Sequence, residues 1–171
     1  MKRPAGRSWV WLLVALVVLA SAGAGVAAFR WSRDSVSRLP EISVYSRGQT
    51  ARVGPYFFCN VVNLDDCARG GTQGALRVDD REPVQLSVPE SIARAPWRLL
   101  KVYEDDRDAT ATVFRPGARL AATIPTMDAQ RGRLVGVVVQ LMTLVRDQNG
   151  AEFQLPHAEW SVQLDRDAAT N

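Results

Sequence analysis

Residues 157–164, HAEWSVQL, alternate without a break: Ala158, Trp160, Val162 and Leu164 fall on one side of an extended chain, and His157, Glu159, Ser161 and Gln163 on the other. A helix would scatter these positions around its axis, so period two predicts a half-buried strand. The pattern recurs. Val84, Leu86 and Val88 alternate with Gln85 and Ser87, and Leu120, Ala122 and Ile124 share a face in RLAATI. EISVY, TARV, YFFCNVV, GALRV, WRLLKVYE and TATVF add short β-branched and aromatic runs, bounded by Pro, Gly, Asn and Asp. Together they predict an all-β domain of about seven to nine strands, an immunoglobulin-like antiparallel β-sandwich with Trp97 on a central strand.

Within the β-patterned region the longest apolar run, residues 133–145 (RLVGVVVQLMTLV), is too short to cross a bilayer and contains Gln140. As a strand it has an odd face of Val135, Val137, Val139, Leu141, Thr143 and Val145, which reads as core. Its even face still carries Leu134, Val138, Met142 and Leu144: the first reading is ordinary burial, with the strand covered on both sides for part of its length, and the second is an interaction or lipid face. Asp147-Gln148-Asn149-Gly150 supplies the turn into the last strand.

Before the β pattern comes an uncharged stretch, residues 9–29, behind Lys2, Arg3 and Arg7. As a helix rising about 1.5 Å per residue it spans roughly 31 Å, the thickness of a hydrocarbon core. An uncleaved single-pass anchor is the first reading. A signal peptide cut near Ala20-Ser21-Ala22 is the second, disfavoured because the apolar run outlasts the usual length of about 7–15 residues. Either one sends the remainder to the extracytoplasmic side of the cytoplasmic membrane, or into the medium if the segment is removed. The chain thus divides into 1–29 (anchor or signal), 30–39 (linker), 40–165 (β domain) and 166–171 (a flexible tail).

That address explains the cysteines. Cys59 and Cys67 are the only two, and an oxidising exterior lets them close a disulfide around residues 60–66, NVVNLDD. They lie too close in sequence to be the inter-sheet disulfide of an antibody domain. A metal site is the rival reading, but two Cys and the single His157 fall short of a zinc shell.

The net charge of +3 resides in the N-terminus: without Lys2, Arg3 and Arg7, the 21 basic residues no longer outnumber the 18 acidic ones. No basic stripe remains for phosphates, which disfavours nucleic-acid binding. His157 and Glu159 share the outward face of the last strand without any nucleophile, and read as a surface pair rather than an acid–base couple. Glu104, Asp105, Asp106 and Asp108 lack the spacing and glycine of a calcium loop and read as a solvated turn, as do Asp65–Asp66 and Asp79–Asp80. No phosphate-loop, nucleophile-elbow or zinc-protease motif occurs. The expectation is a non-enzyme with no cofactor and no metal.

The segments PEISVYSRGQTARVGPYFFC, REPVQLSVPESIARAPWRLLKVYED, IPTMDAQRGRLVGVVVQLMTLV and PHAEWSV resemble an actinobacterial family of exported proteins catalogued as a domain of unknown function, numbered 2771. The resemblance covers about residues 40–163 and implies an envelope setting, with no catalytic residues to carry over. The leading expectation is a non-catalytic envelope module for protein interaction, accessory to a membrane transporter or cell-wall machinery; Trp97, Tyr103, Tyr56 and Phe57 are its candidate contact aromatics, although each reads first as core. A lipid or glycolipid carrier, using the apolar stripe around Val138 and Met142, is the alternative. An envelope hydrolase built on His157 is the third.

Overall fold

The computed structural model describes residues 39–105 and 109–166. The anchor or signal segment 1–29, the linker through residue 38, Asp106 and Asp108 of the acidic turn, and the tail from residue 167 lie outside the described residues. Leu39–Asn171 forms one compact unit.

It is all-β. The strands are β1 (Ile42–Ser46), β2 (Gln49–Val53), β3 (Phe57–Cys59), β4 (Cys67–Arg69), β5 (Gly74–Arg77), β6 (Val84–Ser87), β7 (Trp97–Tyr103), β8 (Thr110–Phe114), β9 (Ala121–Ile124), β10 (Met127–Asp128), β11 (Gly132–Arg146) and β12 (Glu152–Asp165), with one helical turn, α1 (Glu90–Ala93), between β6 and β7. A smaller antiparallel sheet runs β2-β1-β6-β9 and a larger one β4-β3-β12-β11-β7-β8. The exception to antiparallel pairing is β5, which lies parallel to the second half of β12.

Period two decides what is buried. Ile42 and Val44 of β1, Val84 and Leu86 of β6 and Ile124 of β9 join one apolar cluster with Trp97 and Leu99 of β7, Val137 and Val139 of β11, and Trp160 and Val162 of β12. Both buried indoles satisfy their N–H: Trp160 donates to the Pro40 carbonyl at 2.7 Å and Trp97 to that of Arg119 at 3.3 Å. Trp97 also stacks on Phe114, with ring centroids 4.1 Å apart. The β1–β2 hairpin turns on Arg47 and Gly48, both at positive φ, the backbone pair that matches strand twist in a two-residue turn.

Several expectations need correcting. YFFCNVV is not a strand throughout: β3 stops at Cys59, because Asn60 accepts the Val62 N–H on its side chain and starts a turn. Leu120 precedes β9 and is exposed rather than facing inward with Ile124. Leu134 belongs to the core at 0 % exposure and not to the outer stripe. The register of β11 against β7 slips between Leu134 and Gly136, so Val135 is the extra residue and Leu134 is in phase with the buried positions Val137 and Val139 after all. Arg166 is no part of a loose tail. Its guanidinium bonds Asp80 at 2.8 Å and the carbonyls of Leu134 and Thr126 at 3.0 and 3.2 Å, locking the end of β12 to the chain around β11.

Asp79 and Asp80 accordingly do structural work. Asp79 caps the turn by accepting the N–H groups of Arg81 and Glu82, and these bonds hold its carboxyl below the usual range. The Asp80 carboxyl is likewise held low, first by the hydrogen bond from Arg166 and then by the neighbouring charge of Arg133.

Two outcomes are expected. Trp160→Ala should cost about 3–5 kcal/mol in urea unfolding, whereas Val113→Ala on the exposed edge should stay within about 0.5 kcal/mol. A lowered folded-state pKa means that the Asp80 carboxylate stabilises above its unfolded value near 3.8, and that this contribution is lost as pH falls through the folded value. The stability gap between wild type and Asp80→Asn should therefore be widest near neutral pH and close as unfolding is measured at successively lower pH below 3.8; a gap independent of pH would assign the effect to shape instead.

Candidate functional site

Residues directly opposite one another on paired strands share a face, so the register of the larger sheet can be followed across it. Arg69 of β4 lies opposite Phe57 of β3, Phe57 opposite Glu159 of β12, Glu159 opposite Gln140 of β11, Gln140 opposite Arg98 of β7, and Arg98 opposite Val113 of β8. This row crosses the face turned away from the core, since the alternate residues Trp160, Val139 and Leu99 are buried.

Its centre is a closed polar relay. Gln140 Nε2 donates to Glu159 Oε2 at 2.7 Å, and Gln140 Oε1 accepts from Arg98 Nε at 2.9 Å and again from its Nη2. The two long flanking side chains cover the amide, leaving Gln140 only 7 % exposed on an outward face. The Gln140 amide donates to a carboxylate and accepts from a guanidinium at once, which accounts for one polar residue in the middle of the most apolar strand.

Apolar surface flanks the relay. Val138 and Leu100 are half-buried on one side, and Met142 is half-buried on the other. Val113 at 67 % and Leu144 at 60 % exposure stand in solvent. A groove of about 260 Å³ runs between Pro96, Arg98, Val113, Met142, Leu144 and Gln154. Of the even-numbered stripe, the fold keeps Val138, Met142 and Leu144 on this face, split by the relay at Gln140, and removes Leu134. The groove is smaller than the roughly 300–1,000 Å³ of ordinary small-molecule sites.

The β11–β12 ladder continues from Met142 opposite Pro156 to Arg146 opposite Glu152, beyond Leu141, the last β11 residue paired with β7. These five steps project about 17 Å at roughly 3.4 Å each. Asp147 closes the tip by accepting the N–H groups of Asn149 and Ala151. Where the overhang begins, the register slips so that His157 has no partner on β11. This bulge turns His157 inward, to 8 % exposure, with its Nδ1–H toward the Cys59 carbonyl at 3.3 Å and its ring edge-on to Phe58. His157 is therefore a buried side chain and not the surface neighbour of Glu159 that unbroken alternation implies.

Beside the hairpin, Cys59 and Cys67 are directly paired on β3 and β4 and joined as a disulfide. The bridge pins residues 60–66, whose turn is further held by Asp66 N–H on the Asn63 carbonyl and Asp65 N–H on the Asn63 side chain. Between this loop and the hairpin lies a cavity of about 500 Å³ lined by Tyr56, Phe57, Leu64, Arg69, Leu155 and Pro156 among others. Of the expected contact aromatics, Trp97 and Tyr103 are core, Phe57 is half-buried and Tyr56 is exposed. Glu104 pairs with Arg133 at 3.6 Å, and among the described residues no three His, Cys, Asp or Glu come together as a metal shell. No described helix is long and apolar enough to cross a membrane.

Removing the bridge as Cys59→Ser/Cys67→Ser should lower unfolding free energy by about 2–3 kcal/mol, the loop-closure value for so short a ring. Hydrogen exchange should quicken first at residues 60–66; uniform quickening would show that the bridge stabilises the whole domain rather than the loop.

Residues 36–165 match the family model described as "Protein of unknown function (DUF2771)". Uncharacterized proteins of Mycobacterium bovis and of two Mycobacterium tuberculosis strains are 59 % identical over 153 residues, covering 90 % of this chain and 94 % of each relative. No solved structure matches. With a match of that extent and relatives that close over nearly their whole length, the chain belongs to the DUF2771 family.

Proposed function

We propose that this protein is a non-catalytic interaction module of the cell envelope: an immunoglobulin-like β-sandwich, held on the outer side of the cytoplasmic membrane by residues 1–29, that docks a partner protein on the outer face of its larger sheet as an accessory to a transporter or to cell-wall machinery. The observation that carries the reading is the pattern on that face, where Val113, Met142 and Leu144 surround the Arg98–Gln140–Glu159 relay. Polar groups already bonded to one another lose fewer hydrogen bonds on being covered than unbonded ones would, and the exposed aliphatic side chains gain by leaving water. Protein interfaces usually place apolar residues at the centre and polar ones at the rim; this face has the reverse order, and what it shares with them is exposed aliphatic area beside hydrogen-bonded polar groups. The overhanging hairpin gives the face reach, and the charge-free run at residues 9–29 supplies the setting.

Cross-linking in native membranes followed by capture of the tagged full-length chain should recover one near-stoichiometric protein. Leu144→Asp and Val113→Asp should each reduce its recovery about tenfold or more while leaving the melting temperature in place, since both side chains are exposed. Failure to recover any partner, or undiminished recovery with both variants, would overturn this reading.

A further inference from the structure

We infer that the cavity between the disulfide loop and the β11–β12 hairpin is a binding site for a single-chain amphiphile with an anionic head, a carboxylate or a phosphate on an acyl or alkyl tail. This goes beyond the protein-docking face and does not depend on it.

Size comes first. At about 500 Å³ the cavity falls within the range of sites for drug-sized molecules, where the groove at Met142 does not. Its lining is apolar through Tyr56, Phe57, Leu64, Leu155 and Pro156, and the charge it contains is that of Arg69. Arg47, Arg94, Arg131, Arg133, Arg146 and Arg166 each face a carboxylate. Arg69, an exposed residue, has no carboxylate within ion-pair distance among the described residues, as is also true of Arg52, Arg81, Arg98, Arg115 and Arg119; it donates to Cys67 Sγ at 3.8 Å and is the arginine that lines this cavity. The register places Arg69 directly opposite Phe57, so a guanidinium stands beside an aromatic wall. Guanidinium geometry matches the paired oxygens of a carboxylate or phosphate. A tail along Phe57, Leu64 and Leu155 would put such oxygens at Arg69.

The walls are built to stay open. The disulfide fixes one side. On another, the chain at Gly71 approaches Pro55 so closely that an added Cβ would sit 2.0 Å from the Pro55 carbonyl oxygen, an approach that only glycine permits. With the walls set before binding, a ligand avoids the cost of ordering the loop.

The test is photolabelling of the full-length protein in phosphatidylcholine nanodiscs with diazirine analogues of decanoate, decyl phosphate and decanol. The expected result is saturable labelling of peptides spanning residues 55–71 and 153–157 by at least one of the two anions. Arg69→Gln should raise the half-saturating concentration about tenfold or more, the scale of a charge-assisted bond, and the alcohol should not distinguish the variant from wild type. A lower half-saturation for decanoate assigns a carboxylate ligand, and the reverse a phosphate. Leu155→Trp, which fills the cavity from an exposed position, should abolish labelling without the charge change and serves if Arg69→Gln fails to fold. Unsaturable labelling, or equal labelling of wild type, Arg69→Gln and Leu155→Trp, overturns the assignment.

Discussion

The antiparallel ladder between β11 and β12 is the constraint on which the rest depends. The two longest strands pair from Gly136–Gln163 to Arg146–Glu152 and carry the rest of the larger sheet on their outer edges: β7, with β8 beyond it, on one side, and β3, with β4 beyond it, and β5 on the other. Their inward residues Val137, Val139, Trp160 and Val162 are fully buried against the cluster that the smaller sheet completes. Because side chains alternate, register here sets which residues meet the core and which meet solvent across the whole larger sheet.

Two register slips shape this part of the sheet, one in the pairing of β11 with β7 and one in its pairing with β12. The one beside Val135 returns Leu134 to the core, and the one at His157 buries an imidazole and redirects the hairpin. Between the slips the strands are regular, and it is there that Arg98, Gln140 and Glu159 line up closely enough to bond. The outer face therefore has a polar centre and apolar flanks, and its backbone belongs to the same ladder that holds the core.

At the far end, stability comes from different chemistry. β3 and β4 have three residues each, too few to bury much, and a disulfide joins them where apolar area cannot. Arg166 plays the equivalent part at the opposite end of β12, bonding a carboxylate and two backbone carbonyls. The cavity at Arg69 exists because the short ribbon and the long hairpin diverge from a common strand instead of closing over one another.

Much of the fold was legible in the residues. Alternation in HAEWSVQL and VQLSV named strands and most of their buried sides, WRLLKVY was named as a strand, and the two cysteines named their bridge, because period and pairing number are local properties. What alternation could not show was where it breaks. A bulge leaves no mark in a run such as RLVGVVVQLM, so Leu134 read as outward; nor did PHAEW show that His157 turns in. Gln140 was visible as an oddity, but its partners Arg98 and Glu159 lie 42 and 19 residues away and meet it only through strand order. The sequence by itself determined that the region from about residue 40 is all-β and which side chains there are apolar enough to form its core. Only the tertiary structure decided the register, and with it the relay, the inward histidine and the cavity at Arg69, because pairing between distant strands is chosen by the total burial of both faces and by no single segment.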